Sequence, residues 1–440
     1  MALKRKVEAQ FLAWKANPDR LPLVVNGVRQ CGKTHSVLAF ARAHYEHVAY
    51  VNFVEKPDLA RAFEGALNVD RIVMMISALY GRPVRFEPGR TVIILDEIER
   101  CPQAGTALKL FKMDGRYDVI AIGSLTGVGG CGEDGACIPV GCETTLTMRP
   151  LDFEEFLWAS NVPEAAIGLL GQSLAAETPV PEPLHARMEA LLLEYAVVGG
   201  MPAVVETFMR TRNISLVLGQ LRDLLNAYRA DMTQCAAGAD KTRIKACFDS
   251  IPRQLAKDNK KFQYSLVRRG GRASQYAGAL QWIEDAGLIH RCRNVTITEL
   301  PLEGFSMDDN FKVYAADAGL FMGMLEDGTA AEVLGGNLNG LNGAILENFA
   351  ADMLSKAGRK LYFYRRSTGL EAEFLIRHKG RCVPLAVKPC SGNAKRIKTI
   401  LQNAEKYYVD RAIEAGMCNV GRSGGILTMP FYMLFLLTER

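Results

Sequence analysis

At 440 residues the chain has room for about two to four domains, each large enough to bury its own core. A composition of 49% hydrophobic and 23% charged residues excludes a disordered or fibrous chain. The net charge of +5 is too small for this length to imply nucleic-acid binding by itself, so any basic face must show as a local cluster.

At the start of the chain, charged and polar residues return at Glu8 and Gln10 behind Met1-Ala2-Leu3-Lys4-Arg5-Lys6, so no secretory signal is expected and the chain reads as cytoplasmic. No apolar run is long enough for a bilayer. Leu191 to Val205 is broken by Glu194, Gly199, Gly200 and Pro202, and Phe431 to Leu437 is only seven residues. The 11 cysteines are odd in number, scattered and without a C-x-x-C pair, which fits reduced thiols better than disulfides or zinc. Cys131, Cys137 and Cys142 form a loose cluster read as no metal site, and His44 and His47 read as surface residues at a helix end.

Leu23-Val24-Val25 reads as a short buried strand and Ser36 to Ala43 as a helix. Between them Gly27-Val28-Arg29-Gln30-Cys31-Gly32-Lys33-Thr34 has the spacing G-x-x-x-x-G-K-[ST] of a phosphate-binding loop. Its glycines let backbone N–H groups turn toward a β-phosphate, and Lys33 brings a point charge to the β/γ oxygens. The Thr34 hydroxyl is a ligand for Mg²⁺, and the positive end of the following helix faces the phosphates, with His35 just before it among the nucleotide-binding residues. Cys31 inside the loop reads as an inert small residue, with redox control of nucleotide entry as the other reading.

Val48 to Phe53 is a further short strand, and Thr91-Val92-Ile93-Ile94-Leu95-Asp96-Glu97 is a fully buried one that delivers Asp96 to its carboxyl end. Asp96 is expected to hold the metal through water, and Glu97 to orient and polarise the attacking water. Asp118 to Ile122 is a third buried strand; Gly123-Ser124 follows it, which makes Ser124 a candidate sensor of the γ-phosphate or a turn cap. Strands alternating with helices over Leu21 to Gly123 indicate an α/β sheet. The glycine-dense stretch Gly127 to Gly135 lacks the Lys-Ser/Thr ending of a nucleotide loop.

After Pro150 the pattern becomes helical, with a proline-rich linker from Thr178 to Pro183. Residues from about Ala236 to Asn294 read as a compact basic unit of helices. Lys257, Lys260, Lys261, Arg268, Arg269 and Arg272 precede a helix from Ser274 to Ala286 with Tyr276, Leu280 and Ile283 inward. This fits a winged helix laid on DNA, or a protein-docking module with a solvated charged face. A helix through Ala344 to Phe349 then leads to strands Leu361 to Tyr364, Ala372 to Ile376 and Cys382 to Val387.

These blocks resemble a bacterial and archaeal group of AAA+ ATPases that carry a C-terminal domain of unknown function with a restriction-endonuclease-like fold. Besides the phosphate loop and Leu95-Asp96-Glu97-Ile98, the resemblance rests on Arg149 to Phe156, Val198-Gly199-Gly200-Met201-Pro202 and Asp285 to Ile289. It extends through Phe311 to Leu320 and Gly343 to Asn348. It implies an AAA+ parallel sheet in residues 1–155 and a helical lid in 156–235. A winged-helix-like module in 236–320 and a small mixed α/β restriction-endonuclease-like domain in 321–440 would follow. It also implies that the Ser124 strand lies between the strands of Lys33 and Asp96, and that a neighbouring subunit of a homo-oligomer supplies an arginine, with Arg100, Arg116 and Arg149 as candidates. In the nuclease-like pattern the corresponding places hold Glu347, Glu373 and Ala386-Val387-Lys388. Alanine at 386 removes a metal-binding carboxylate, so this domain is expected to be catalytically dead.

The resulting expectation is an ATPase that uses ATP and Mg²⁺ to change how its other modules hold a partner, either DNA on the Lys257 to Arg272 face or a protein. The alternative is a nucleotide-dependent binding switch in regulation or defence with little turnover, and an ATP-driven nuclease ranks last. Absence of an Asn-Lys-x-Asp guanine-reading motif favours ATP over GTP.

Overall fold

Apolar runs without polar alternation, such as Val92 to Leu95, need a strand covered on both faces. The computed structural model describes residues 3–81, 83–124, 141–235, 240–338, 340–366, 370–388 and 395–438. The glycine-dense stretch 127–135, with Cys131, and also Cys137 lie outside the described residues. The chain divides into two compact units, one of Arg5–Pro150 with Asp285–Gly287, the other of Leu151–Glu284 and Leu288–Arg440 with Met1–Lys4.

The smaller unit holds a five-stranded parallel sheet in the order β2-β3-β4-β1-β5. Its strands are β1 (Leu23–Gly27), β2 (His47–Asn52), β3 (Thr91–Asp96), β4 (Asp118–Ile122) and β5 (Thr144–Met148). Every residue of β3 is buried. Leu95, Ile93 and Val119 pack with Phe53, Phe63, Ile72, Ile76 and Leu108, which joins the sheet to the helices Val69–Leu79 and Pro102–Asp114. β4, which leads to Ser124, does lie between β3 and β1. The phosphate loop, Asp96-Glu97 and Gly123-Ser124 therefore all leave the sheet at its carboxyl edge, where open α/β sheets bind ligands. β5 is not foreseen from the sequence. Thr144, Thr145 and Thr147 are exposed on this edge strand, so its apolar signal is reduced to Leu146 and Met148.

The larger unit begins with the helix Phe153–Ala159, fixed by a capping box in which Asp152 and Glu155 each bond the other's backbone N–H. The helix Glu182–Val198 stops at Gly199-Gly200, and Pro202–Thr211 follows. Here three of the blocks that carried the resemblance meet. A Cβ on Gly200 would fall 2.0 Å from the Leu151 carbonyl oxygen, and one on Gly319 would fall 2.3 Å from that of Val198. Gly200 N–H donates to Asp317 Oδ2 at 2.7 Å, and Lys356 Nζ donates to the same oxygen at 2.8 Å and to Tyr195 Oη at 3.0 Å. Lys356 also bonds Asp352, and all three charged side chains are buried.

Beyond these helices, an eight-stranded mixed sheet runs β12-β13-β11-β10-β9-β8-β6-β7. The hairpin β6 (Ile289–Val295) and β7 (Ser306–Ala315) continues into β8 (Tyr362–Arg365), β9 (Glu371–His378) and β10 (Arg381–Val387). Then come β11 (Ala412–Gly416), β12 (Gly421–Ser423) and β13 (Ile426–Pro430). The strands expected near 361, 372 and 382 are thus present as β8 to β10. One sheet spans residues 289–430, across the expected division at 320/321. Among the described residues no helix is long and apolar enough to cross a membrane.

Replacing Lys356 with methionine strands two buried carboxylates without their cation. We expect a loss of about 3–5 kcal/mol in urea denaturation; a loss below about 1 kcal/mol would show that the network is not a structural anchor.

Candidate nucleotide-binding site

Gly27 pairs with Met148 where β1 meets β5, and a Cβ at Gly27 would lie 2.2 Å from the Met148 carbonyl oxygen. Only glycine permits that approach. Gln30 (φ 64°) and Gly32 (φ 92°) both take the left-handed conformation, which curls the loop before the helix Lys33–His44 begins. Unpaired N–H groups at that helix start provide an anion-binding end. Lys33 Nζ donates to the carbonyls of Gly27 at 2.9 Å and Val28 at 3.0 Å, so its charge is held inside the loop. Val28 is buried, Arg29 half-buried, and Gln30 and His35 exposed.

Cys31 is fully buried and its thiol donates to the Met148 carbonyl at 3.4 Å. Burial pushes that thiol up, with Lys33 and Arg5 pulling partly back, so the protonated form dominates and the inert reading is the better supported. Arg5, which the sequence did not mark, donates to the carbonyls of Cys31 at 3.1 Å and Arg149 at 2.6 Å and ties the loop to the end of β5.

Asp96 is 3% exposed, and a buried carboxylate needs donors. Oδ2 accepts from Thr34 Oγ1 at 3.0 Å, Tyr50 Oη at 2.7 Å and Asn52 Nδ2 at 3.5 Å, while Oδ1 accepts from Glu97 N–H at 3.0 Å. Thr34 and Asp96 are thus hard oxygen donors side by side, a set that fits Mg²⁺ held partly through water. Tyr50 and Asn52 went unrecognised. Their signal is positional: both lie on β2, which pairs in register with β3, and Asn52 is opposite Asp96. Burial pushes the Tyr50 phenol up, and its bond to Asp96 adds to the shift, so it remains a donor.

Glu97 sits in the left-handed region (φ 56°), unusual for a side chain of its kind and a mark of local strain. Its carboxyl is pushed up by burial and then by Glu99 and Asp96, against the pull of Arg29 and Lys33. Ser124 N–H donates to Glu99 Oε1 at 3.3 Å, and Glu99 Oε2 is buried with no hydrogen-bond partner. Glu99 therefore lies among the chemistry-bearing residues although the sequence reading passed over it. Of the three arginine candidates, Arg116 is held by Asp114 and Asp70, whereas Arg100 and Arg149 have no ion pair among the described residues. Away from this edge, Glu46, His47 and Glu87 hold ligand atoms within 4.8 Å of one another, and Arg90 pairs with both glutamates.

In the larger unit the residues expected from a nuclease-like pattern fall into an ion-pair lattice. Glu347, on the helix Gly340–Lys356, bonds Lys260, Lys312 at 3.3 Å and Tyr314 Oη at 3.0 Å. Burial alone would raise its carboxyl, but Lys312 and Lys260 hold it below the ordinary value. Glu373 on β9 is pushed up by burial and meets Lys388 Nζ at 3.4 Å. Glu371, two residues before it, takes Lys312 at 2.8 Å, and Ala386 pairs across the sheet with the buried Glu414 of β11. Glu371 and Glu414 were not anticipated.

The expected basic face is corrected at one residue. Lys260 is buried on Glu347, while Lys257, Arg268, Arg269 and Arg272 are exposed and Lys261 is half-buried. The helix Ala273–Asp285 does bury Tyr276, Leu280 and Ile283.

Residues 19–157 match the family described as AAA domain. Residues 189–330 and 342–432 match two families described as Domain of unknown function (DUF8612) and Domain of unknown function (DUF4143). A search of curated proteins found no match. Among solved structures, the Walker-type ATPase PABY2304 of Pyrococcus abyssi is 13% identical, with a TM-score of 0.44 over 73% of this chain and 96% of that one. The ORC2 protein of Aeropyrum pernix in ADPNP–ADP complexes is 13% identical, with a TM-score of 0.38 over 76% and 93%. AMPPCP-bound DnaA from Aquifex aeolicus is 10% identical, with a TM-score of 0.29 over 65% and 90%. The loop, the strand order and the family match agree on an AAA+ P-loop fold for residues 19–157.

Proposed function

We propose that this chain is a Mg²⁺-dependent ATPase whose turnover changes how its larger unit holds a partner. The observation that carries the reading is the contact of Thr34 with Asp96 beside a loop that holds the Lys33 ammonium on its own carbonyls. Lys33 would exchange those carbonyls for β/γ oxygens of ATP, and the N–H groups of residues 27–35 would cradle the chain of phosphates. Thr34 and Asp96 are the residues that would hold Mg²⁺, which supplies charge neutralisation at the phosphates. Glu97 is assigned to the attacking water, and Ser124 to the γ-phosphate. Arg100 or Arg149 would serve a neighbouring copy in a homo-oligomer.

The second reading is a nucleotide-dependent switch in regulation or defence with slow turnover, against which the intact Glu97 carboxylate counts. Nuclease activity has little support: Glu347 and Glu373 both carry lysine partners, and Ala386 contributes no ligand. DNA is the partner best matched to the exposed Lys257, Arg268, Arg269 and Arg272, with a docked protein as the other candidate. We also propose that the larger unit comprises a lid, a winged-helix-like part and a nuclease-like part, the last two sharing one sheet through β6 and β8.

Three outcomes follow. Wild-type protein should bind ATP with Mg²⁺ and release phosphate, and Lys33→Ala should bind ATP about 10- to 150-fold more weakly, the worth of one charge-assisted phosphate contact. Equal affinity in calorimetry would remove the site. Glu97 must be ionised to act on water, so its raised pKa places the acid limb of the kcat profile above the ordinary glutamate range, with activity lost as pH falls through it. Glu99→Gln removes the neighbouring charge and should move that limb to lower pH; an unmoved or higher limb contradicts the assignment. For DNA, an Arg268→Ala, Arg269→Ala double variant should weaken duplex binding and reduce the salt slope by about 2, close to ~0.9 per lost phosphate contact. An unchanged slope would direct the search toward a protein partner.

A further inference from the structure

A cavity in the larger unit has no role in the proposed nucleotide chemistry. It has a volume of about 270 Å³ and lies between the helix Glu164–Ala176, the β9–β10 turn, β11, β13 and the C-terminal 3-10 helix Phe431–Leu436. Its walls are apolar, chiefly Leu174, Val383, Ile413, Leu427, Leu436 and Leu437. The remaining lining includes the polar side chains of Lys379, Arg411, Arg422, Glu177 and His378.

These charges do not cancel locally. Arg422 and Glu177 form a pair that joins β12 to the end of the helix. Arg411 meets Asp410 at 3.5 Å, but Asp410 is also bonded by Arg381, and Glu177, already paired with Arg422, is the carboxylate that Lys379 and Arg411 share, so cations outnumber carboxylates around the cavity. Arg411 Nε is buried and faces Asp410 Oδ1 at 3.5 Å without completing a hydrogen bond, and Lys379 has no ion pair among the described residues. Arg359, outside the lining, adds another cation and donates to the carbonyls of Leu437, which lines the cavity, and Arg377. The surplus is felt by His378, which burial and then Lys379, Arg359 and Arg411 hold below its ordinary value. A guanidinium N–H held at 3.5 Å from its carboxylate is under-satisfied, and cations in excess of carboxylates mark a place where an anion fits.

We propose that this cavity binds a compact amphiphilic carboxylate, with its apolar body against Leu174, Ile413 and Leu427 and its anionic head at Lys379 and Arg411. The volume is near the lower end of small-molecule pockets, about 300 Å³, which limits the body to a short acyl chain or a single ring. Glycine at 171 lines the cavity from a helix and has open space around a built Cβ, so a side chain there can fill the cavity without moving backbone.

The test is calorimetric titration of the full chain with octanoate, with octan-1-ol and inorganic phosphate as separate probes for the apolar and anionic halves. Wild type should bind octanoate at one saturable site, at least ~10-fold more tightly than either control. Lys379→Glu should weaken octanoate by ~10-fold or more, and Gly171→Trp, with its fold checked by circular dichroism, should abolish binding. No saturable octanoate binding to wild type, octan-1-ol binding equally well, or octanoate affinity unchanged in Lys379→Glu would each overturn the proposal.

Discussion

A carboxylate buried at the end of a fully buried strand constrains the whole nucleotide edge. Asp96 cannot remain charged there without donors, and it takes them from three separate elements: Thr34 at the start of the helix after β1, Tyr50 and Asn52 on β2, and the backbone of Glu97. Those bonds fix the distance between the loop and the β3 end. The same turn that gives Asp96 its backbone donor puts Glu97 into the left-handed region, facing Arg29 and Lys33. The opposite side of the loop is fixed by close approach, with Gly27 against the Met148 carbonyl and Arg5 bridging Cys31 and Arg149.

Much of this edge was legible because the chemistry is local in sequence. Eight consecutive residues encode the phosphate loop, and four apolar residues followed by Asp96-Glu97 encode the buried strand. The position of β4 between β1 and β3 came from resemblance, and the structure agrees. Tyr50, Asn52 and Glu99 were hidden because their importance comes from pairing between strands or from a turn, which spacing along the chain does not record. β5 escaped for a different reason: as an edge strand of exposed threonines it lacks the apolar run that marked its neighbours.

The larger unit shows the same limit more strongly. Gly199, Gly200 and Gly319 stood out as blocks of resemblance, but their reason is steric and only visible in three dimensions, where each lies against backbone of a distant segment. Lys260 belonged by spacing to an exposed basic run, yet Glu347, 87 positions away, draws it into the interior. The hairpin β6–β7 was not anticipated because His290, Arg291, Arg293, Asp308 and Asp309 dilute its apolar pattern. In the lattice around Glu347, Lys260 and Lys312 meet Glu347 and Glu371, so buried charge there ties helix to sheet.

The central claim is that residues gathered at the carboxyl edge of the smaller sheet hydrolyse ATP through Glu97. Its most direct test is to measure ATP binding and phosphate release together in wild type and Glu97→Gln, which preserves size and removes only the carboxylate. The account predicts near-equal ATP affinity with turnover reduced at least ~100-fold in the variant, the usual contribution of a positioned general base. Turnover in Glu97→Gln equal to that of wild type would contradict it.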